Sequence, residues 1–514
     1  MKQTRNLNWP SLAGILGLTL AAFLIHGYHP WSEDAETYLP GIEKLLNPRL
    51  FPVGAEYFQL HAHMTWFPQL IAGTVSLTHL SLAGTILLWQ TASFFLFLLA
   101  CWQLLSRLFP SAHARWAGLA LVTALFTLPI AGTALYLMDP FLNPRNIIAF
   151  AQVYAVLRVL ERKYFQSVLF LAFSVSIHPF MSAFGCSFCL LLFVFDRWPA
   201  RKSAHARFRV KDAVKETVGV ASLAAPVATP ASGNPFARLL SQPSAAYDQV
   251  AASHPYQFLA RWTWYEIFGA IAPVFLLYWF AAVAKSRGWR SLQTLCQALA
   301  LYGLIYFLAG LIISIPRRLE VLSLLQPMRS LYLLYVLMLL VGGGLLGEYV
   351  LRRRAWRWIA LFFPLCCGMA FAQRELYSQS QHIELPGMAP ANPWEAAFVW
   401  IRSNTPEDAV FALDPTYMRH DDENGFRALA QRSHLADSVK DSGVVELFPA
   451  IADSWNAEVQ AQTGIDNFTA SDFARLKRQY NVSWVVLRER NQQEPANGLT
   501  CPYQNAAVRV CRIP

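Results

Sequence analysis

Eleven apolar runs limit what this chain can fold into more than any other feature. They lie at about residues 10 to 28, 82 to 106, 116 to 137, 145 to 160, 164 to 178, 179 to 197, 213 to 230, 264 to 284, 291 to 314, 326 to 350 and 356 to 373. A bilayer core about 30 Å thick takes roughly 20 apolar residues of helix, and within lipid a backbone must satisfy its own hydrogen bonds, which favours helices. Two runs are weaker: 145 to 160 is short and carries Gln152 and Arg158, and 213 to 230 is rich in Ala, Val and Pro. Only 14% of the residues are charged, against about 25% in an ordinary soluble chain, so lipid is the principal solvent.

The formal charge of +10 raises the question of nucleic acid. Membrane proteins gather Lys and Arg in short cytoplasmic segments, and the alternation here obeys that rule. With Lys2 and Arg5 inside, the inner turns hold Arg107 and Arg115; Arg158, Arg162 and Lys163; the stretch from Arg197 to Lys215; Lys285, Arg287 and Arg290; and Arg352, Arg353, Arg354 and Arg357. These segments carry half of the 42 basic residues, and the outer segments before residue 374 carry eight. Topology accounts for the charge, and no nucleic-acid partner is expected.

The same alternation places Glu56 to Leu80 outside, where Phe67, Leu70, Ile71 and Val75 are interrupted by Gln69, Thr74, Ser76 and His79. That pattern predicts a helix lying at the interface rather than crossing. From about Arg374 the apolar runs shorten to strand length, and Pro386, Gly387, Pro390 and Pro393 mark a linker. The pattern predicts a small α/β domain over 374 to 514, with helices at Asn392 to Arg402 and Ser471 to Tyr480 and strands at Ala409 to Leu413, Val482 to Leu487 and Ala506 to Ile513. An odd number of spans puts this domain outside the cytoplasm. There Cys501 and Cys511 form a disulfide across a hairpin or stand as two partly exposed thiols. The other six cysteines sit in apolar runs, with no metal spacing.

Directly after the first run comes Glu33-Asp34-Ala35-Glu36-Thr37-Tyr38-Leu39-Pro40, leading into Leu45 to Pro52. Acids beside a membrane exit either form a solvated loop face or line a site. This wording, with interfacial helices, many spans and an outer C-terminal domain, resembles the GT-C superfamily of polyprenyl-phosphate-sugar-dependent glycosyltransferases. The protein O-mannosyltransferase and aminoarabinose transferase branches stay undivided. The resemblance implies a mainly α transmembrane bundle over 1 to 373, with first outer loop 29 to 80, in a bacterial inner membrane, and a periplasmic domain over 374 to 514. It implies a polyprenyl-phosphate sugar donor, with a glycan, lipid or protein as acceptor. It also implies that the essential acid sits in this loop. Asp34 is the first expectation, Glu33 its substitute, and Glu36 a weaker one.

Transfer from a lipid-linked sugar passes through an oxocarbenium-like state, and a carboxylate near the anomeric carbon can take the acceptor's proton. The departing phosphate needs cations and hydrogen-bond donors. Arg145, Arg317, Arg318 and Arg329 stand beside proline-interrupted span ends and are the expected phosphate ligands. Each taken singly is about as well explained by general lipid-phosphate contact. His178, Asn143 and Glu36 complete the expected substrate-binding set, with capping of a tight outer turn the competing role for His178. His61 and His63 leave a divalent metal with Glu33 or Asp34 open, although two histidines so spaced are more often interfacial. Asp414, Asp421, Asp422 and Glu423 read as a solvated loop, with Tyr417 and Arg419 near substrate at most. A transporter or flippase, or a non-catalytic envelope assembly protein, are the competing classes. Paired repeats favouring a transporter are missing from the sequence.

Overall fold

The computed structural model describes residues 9–197, 250, 254–314, 322, 325–419, 424–489 and 498–514. The expected run at 213 to 230, together with Arg317, Arg318, Asp421, Asp422 and Glu423, lies outside the described residues. Among the described residues, seven helices are long and apolar enough to cross a membrane: Trp9–His26, Leu82–Leu108, Pro179–Arg197, Trp264–Ser286, Arg290–Ser314, Pro327–Leu351 and Ala355–Leu376. The expected runs near 145 and 164 are also helical but shorter, Pro144–Leu160 and Tyr164–Ile177.

Local chemistry starts these helices. Ser81 and Ser111 accept the backbone N–H groups of Gly84 and Ala114, and Asn143 does the same for Asn146 ahead of Pro144. Each cap satisfies a donor that a helix start would otherwise leave unpaired. Packing then sorts the helices. Pro327–Leu351 is 83% buried along its apolar window and forms the bundle centre, whereas the window of Ala355–Leu376 has no buried residue. Exposed Leu20, Leu24, Phe275, Trp279, Ile312, Ile359 and Phe363 give the outer helices a surface that only lipid matches. At the centre, small residues let two backbones meet. A Cβ on Gly343 would lie 2.8 Å from the Cα of Gly118, and one on Gly118 would lie 2.7 Å from the carbonyl oxygen of Leu340.

The run at 116 to 137 departs from expectation. Its helix covers Ala112–Ala124, and residues 125 to 143 are irregular, because Pro129, Gly132 and Pro140 interrupt any continuation. Apolar composition marked this stretch as buried but could not mark it as helical. Irregular backbone at this depth survives only where it is packed in protein or lines a cavity. Here Ile130 N–H donates to the Leu135 carbonyl, Met138 N–H to that of Phe126, and Asp139 N–H to the Asn146 side chain. The interfacial helix expected over 56 to 80 is two, Glu56–Ala62 and Phe67–Thr78, both too short to cross.

The C-terminal part carries a five-stranded sheet of β1 (Val410–Ala412), β2 (Ser433–His434), β3 (Trp484–Arg488), β4 (Thr500–Gln504) and β5 (Val508–Arg512) in the order β2-β1-β3-β5-β4. β1 runs parallel to β2 and β3, and β5 antiparallel to β3 and β4. Helices Pro393–Asn404 and Ala470–Tyr480 stand where expected, the first capped by Asn392 and the second by a Thr469/Asp472 capping box. Cys501 and Cys511 are disulfide-bonded across β4 and β5. A bridge spanning ten residues should contribute roughly 2–3 kcal/mol by restricting the unfolded chain. Replacing both cysteines by serine is therefore expected to lower the domain's thermal midpoint, as calorimetry under non-reducing conditions would show.

Candidate active site

The chain leaves its first helix through Gly27, whose φ of +76° suits glycine; a Cβ there would meet the His382 carbonyl at 2.6 Å. It then runs beside the C-terminal domain. Gly425 N–H donates to the Trp31 carbonyl, Ser32 Oγ donates to Asn424 Oδ1 at 3.2 Å, and Gln431 donates to Glu43 at 3.0 Å. Between these ties, Glu33 and Asp34 enter a cavity of about 550 Å³. Its walls come from the first outer loop, the irregular segment after Ala124, the turn at His178, the segment around Tyr256 and Arg329, and residues 438 to 447 of the C-terminal domain.

Asp34 sits between two cations. Lys440 Nζ reaches Oδ1 at 3.4 Å, and Arg145 Nη2 reaches Oδ2 at 3.4 Å. Arg145 is anchored from behind by Asp139, donating at 3.1 Å to both of its oxygens. Asp139 is in turn held by Asn143 Nδ2 at 2.6 Å. Lys440 also pairs with Glu33. The Asp34 side chain keeps 29% exposure while Arg145 keeps 8%, so the carboxylate remains open to a ligand and the guanidinium is a fixed wall. Burial alone would raise the Asp34 pKa, but Lys440, Arg145 and Arg329 outweigh it and hold the group at about 2. Burial dominates at Asp139, whose pKa is raised despite Arg145. His61 is pushed down to about 4 by burial and is neutral.

Arg329 lies in the same cavity, its guanidinium 5.9 Å from the Phe180 ring centre and 5.8 Å from that of Tyr256. It follows Gln326, a non-glycine residue at φ +40°. Four of the ten positive-φ non-glycine residues among those described, Glu33, Ala131, Ala134 and Gln326, line this one cavity. Such backbone persists where the surrounding fold imposes it, and it concentrates at functional sites.

The structure thus brings Asp34, Glu33, Arg145, His178 and Arg329 to one cavity. Two expected substrate ligands are corrected. Glu36 does not reach the cavity: it is 1% exposed and accepts from Arg427 Nη1 at 3.3 Å and Ala428 N–H at 3.2 Å. Asn143 is fully buried as the cap of Pro144–Leu160 and the brace of Asp139. Tyr417 is also a core residue, its hydroxyl accepting the Phe426 N–H, whereas Arg419 is exposed at the cavity. A divalent metal does not fit at Asp34, since both of its oxygens face cationic nitrogens, and His63 is exposed away from the cavity lining.

Sequence reasoning missed Lys440, Asp139 and Glu446. Asp139 stood in the same short motif as Arg145, and an acid six residues before a membrane-boundary arginine was a usable signal. Lys440 and Glu446 gave none, being brought in by a domain some 400 residues along the chain. Glu446 is 2% exposed, and burial raises its pKa to about 7 from 4.5. The stability this implies is fully present below pH 4.5 and lost as pH rises through 7. The thermal midpoint should accordingly fall between about pH 5 and about pH 8, and Glu446→Gln should flatten that fall.

A polytopic helical bundle and a small α/β domain thus meet around a cavity that holds a carboxylate and guanidinium groups, in a chain whose apolar helices mark a membrane protein. Residues 392–441 match a family model described as a domain of unknown function, DUF6798. That segment contains Asn424, Arg427, Gln431, His434 and Lys440, which touch the acidic loop and its helix. No curated protein matches the chain. Among solved structures the chain is similar to the arabinofuranosyltransferase AftD from Mycobacteria, at 13% identity and a TM-score of 0.45, over 99% of this chain and 40% of that one. The chain spans about two fifths of that protein's length.

Proposed function

We propose that this protein is a membrane glycosyltransferase that moves a sugar from a polyprenyl-phosphate donor to an acceptor hydroxyl at the periplasmic face of a bacterial inner membrane. The observation carrying this reading is Asp34, partly open to the cavity and flanked by Arg145 and Lys440. In this reading Arg145, Arg329 and Lys440 receive the donor phosphate. Guanidinium groups suit a phosphate's oxygens, and no general acid is needed because the leaving phosphate is already anionic. The bond from anomeric carbon to phosphate oxygen breaks, the acceptor oxygen forms the new glycosidic bond, and Asp34 takes the acceptor's proton.

A carboxylate held at about 2 is a weak base. A phosphate that draws Lys440 toward itself and shares the fixed Arg145 guanidinium also adds negative charge beside Asp34, and both effects raise the carboxylate's affinity for a proton. Donor binding therefore activates the base. Lys440→Met should weaken donor binding roughly 10- to 100-fold, the loss expected for one charge-assisted hydrogen bond; titration of purified protein with polyprenyl phosphate measures it. The function itself is tested with purified protein and a panel of radiolabelled polyprenyl-phosphate sugars. Transfer dependent on Asp34 supports the reading. Binding or translocation of lipid without bond cleavage would favour a flippase, and no lipid interaction would favour an assembly protein.

A further inference from the structure

Behind the cavity, and separate from its lining, lies a buried cluster of Glu36, Arg427, His434, Asp437 and Asp441, each no more than 2% exposed. Arg427 meets Asp441 in a two-point pair, at 2.9 and 2.8 Å, so that its charge is matched by one carboxylate, and its contact with Glu36 is longer at 3.3 Å. Lys440 is directed to Glu33 and Asp34. Three carboxylates and one guanidinium leave two negative charges that burial makes costly unless they are neutralised.

The histidine geometry points the same way. His434 Nδ1 is committed to the Leu435 carbonyl, which fixes the proton on that nitrogen. Its Nε2 lies 2.9 Å from Glu36 Oε1, a separation that requires one positive centre, a proton or a metal ion, between the two atoms. Asp437 Oδ1 accepts the N–H groups of Val439 and Lys440, at 2.7 and 2.6 Å, while its Oδ2 is buried with no hydrogen-bond partner. One donor atom from each of Glu36, His434 and Asp437 falls within 4.8 Å of the others.

We infer that Glu36, His434 and Asp437 bind one divalent cation that joins the acidic loop to the C-terminal domain. An imidazole with two carboxylates selects a borderline first-row ion such as Mn²⁺ or Zn²⁺ over Ca²⁺ or Mg²⁺, which take oxygen ligands. The Nδ1–H to carbonyl bond is the support that metal-binding imidazoles ordinarily have. The ion would supply the two missing positive charges, and because its ligand Glu36 stands two residues beyond Asp34 and outside the cavity lining, it is a brace for the loop rather than a participant in chemistry.

Full-length protein is stripped with EDTA, dialysed against Mn²⁺ or Zn²⁺ alone and analysed by elemental mass spectrometry. About one equivalent is expected. Asp34→Asn should retain it, whereas Asp437→Asn and His434→Gln should lose it. X-ray absorption at the metal edge of the wild type, which needs no variant, should show one imidazole among oxygen ligands. A metal-free wild type, a metal lost in Asp34→Asn but kept in Asp437→Asn, or a metal spectrum lacking imidazole would each overturn the assignment.

Discussion

Asp34→Asn is expected to reduce turnover by roughly 10²- to 10⁴-fold, the range by which a positioned general base accelerates a reaction. Donor affinity should be unchanged or higher. The carboxylate lies between Arg145 and Lys440, so removing its charge removes a competitor for the cations that the phosphate needs. The split between kcat and Kd is the diagnostic feature, because a folding defect would reduce both. Glu33→Gln should act more mildly, since Glu33 lines the cavity as a partner of Lys440 and its loss leaves the base in place. Single-turnover kinetics with a saturating lipid-linked donor separate these effects.

Arg427→Met is expected to have the largest effect on stability. Arg427 is 1% exposed, paired with Asp441 and in contact with Glu36. Removing it strands carboxylates in the interior, and breaking a buried pair from one side costs about 3–5 kcal/mol. The seam between the acidic loop and the C-terminal domain should loosen, visible as a lower thermal midpoint and as new protease cleavage near residue 425. Adding Asp441→Asn to Arg427→Met should restore part of the loss, because the charge left behind is then removed as well. A double variant no better than the single would show that Arg427 acts through packing, including its position over the Tyr57 ring.

Hydropathy made the membrane helices legible, because lipid imposes a length and a composition that sequence records directly. It misled at 116 to 137, where the apolar residues fill an irregular wall: the requirement for burial is visible in composition, whereas the breaks at Pro129 and Gly132 set the shape. The C-terminal helices were legible from caps such as Asn392 and Thr469. The pair Ser433–His434 was too short to register as a strand. At the site, the acidic loop and the boundary arginines stood out because charge is scarce here. Which acid faced the cavity was not legible. Glu33, Asp34 and Glu36 differ by one to three positions, yet Glu36 turns into the domain seam toward Arg427 while Asp34 faces Arg145. That division depends on partners about 110 and 390 residues away along the chain. Lys440 was hidden for the same reason.

A structure of the full-length protein with polyprenyl phosphate tests the central claim most directly. The account predicts the phosphate within hydrogen-bond reach of Arg145, Arg329 and Lys440, with Lys440 drawn away from Glu33 and Asp34 left facing the place where the sugar would stand. A phosphate bound elsewhere on the bundle, with Lys440 still paired to the acidic loop, would contradict it.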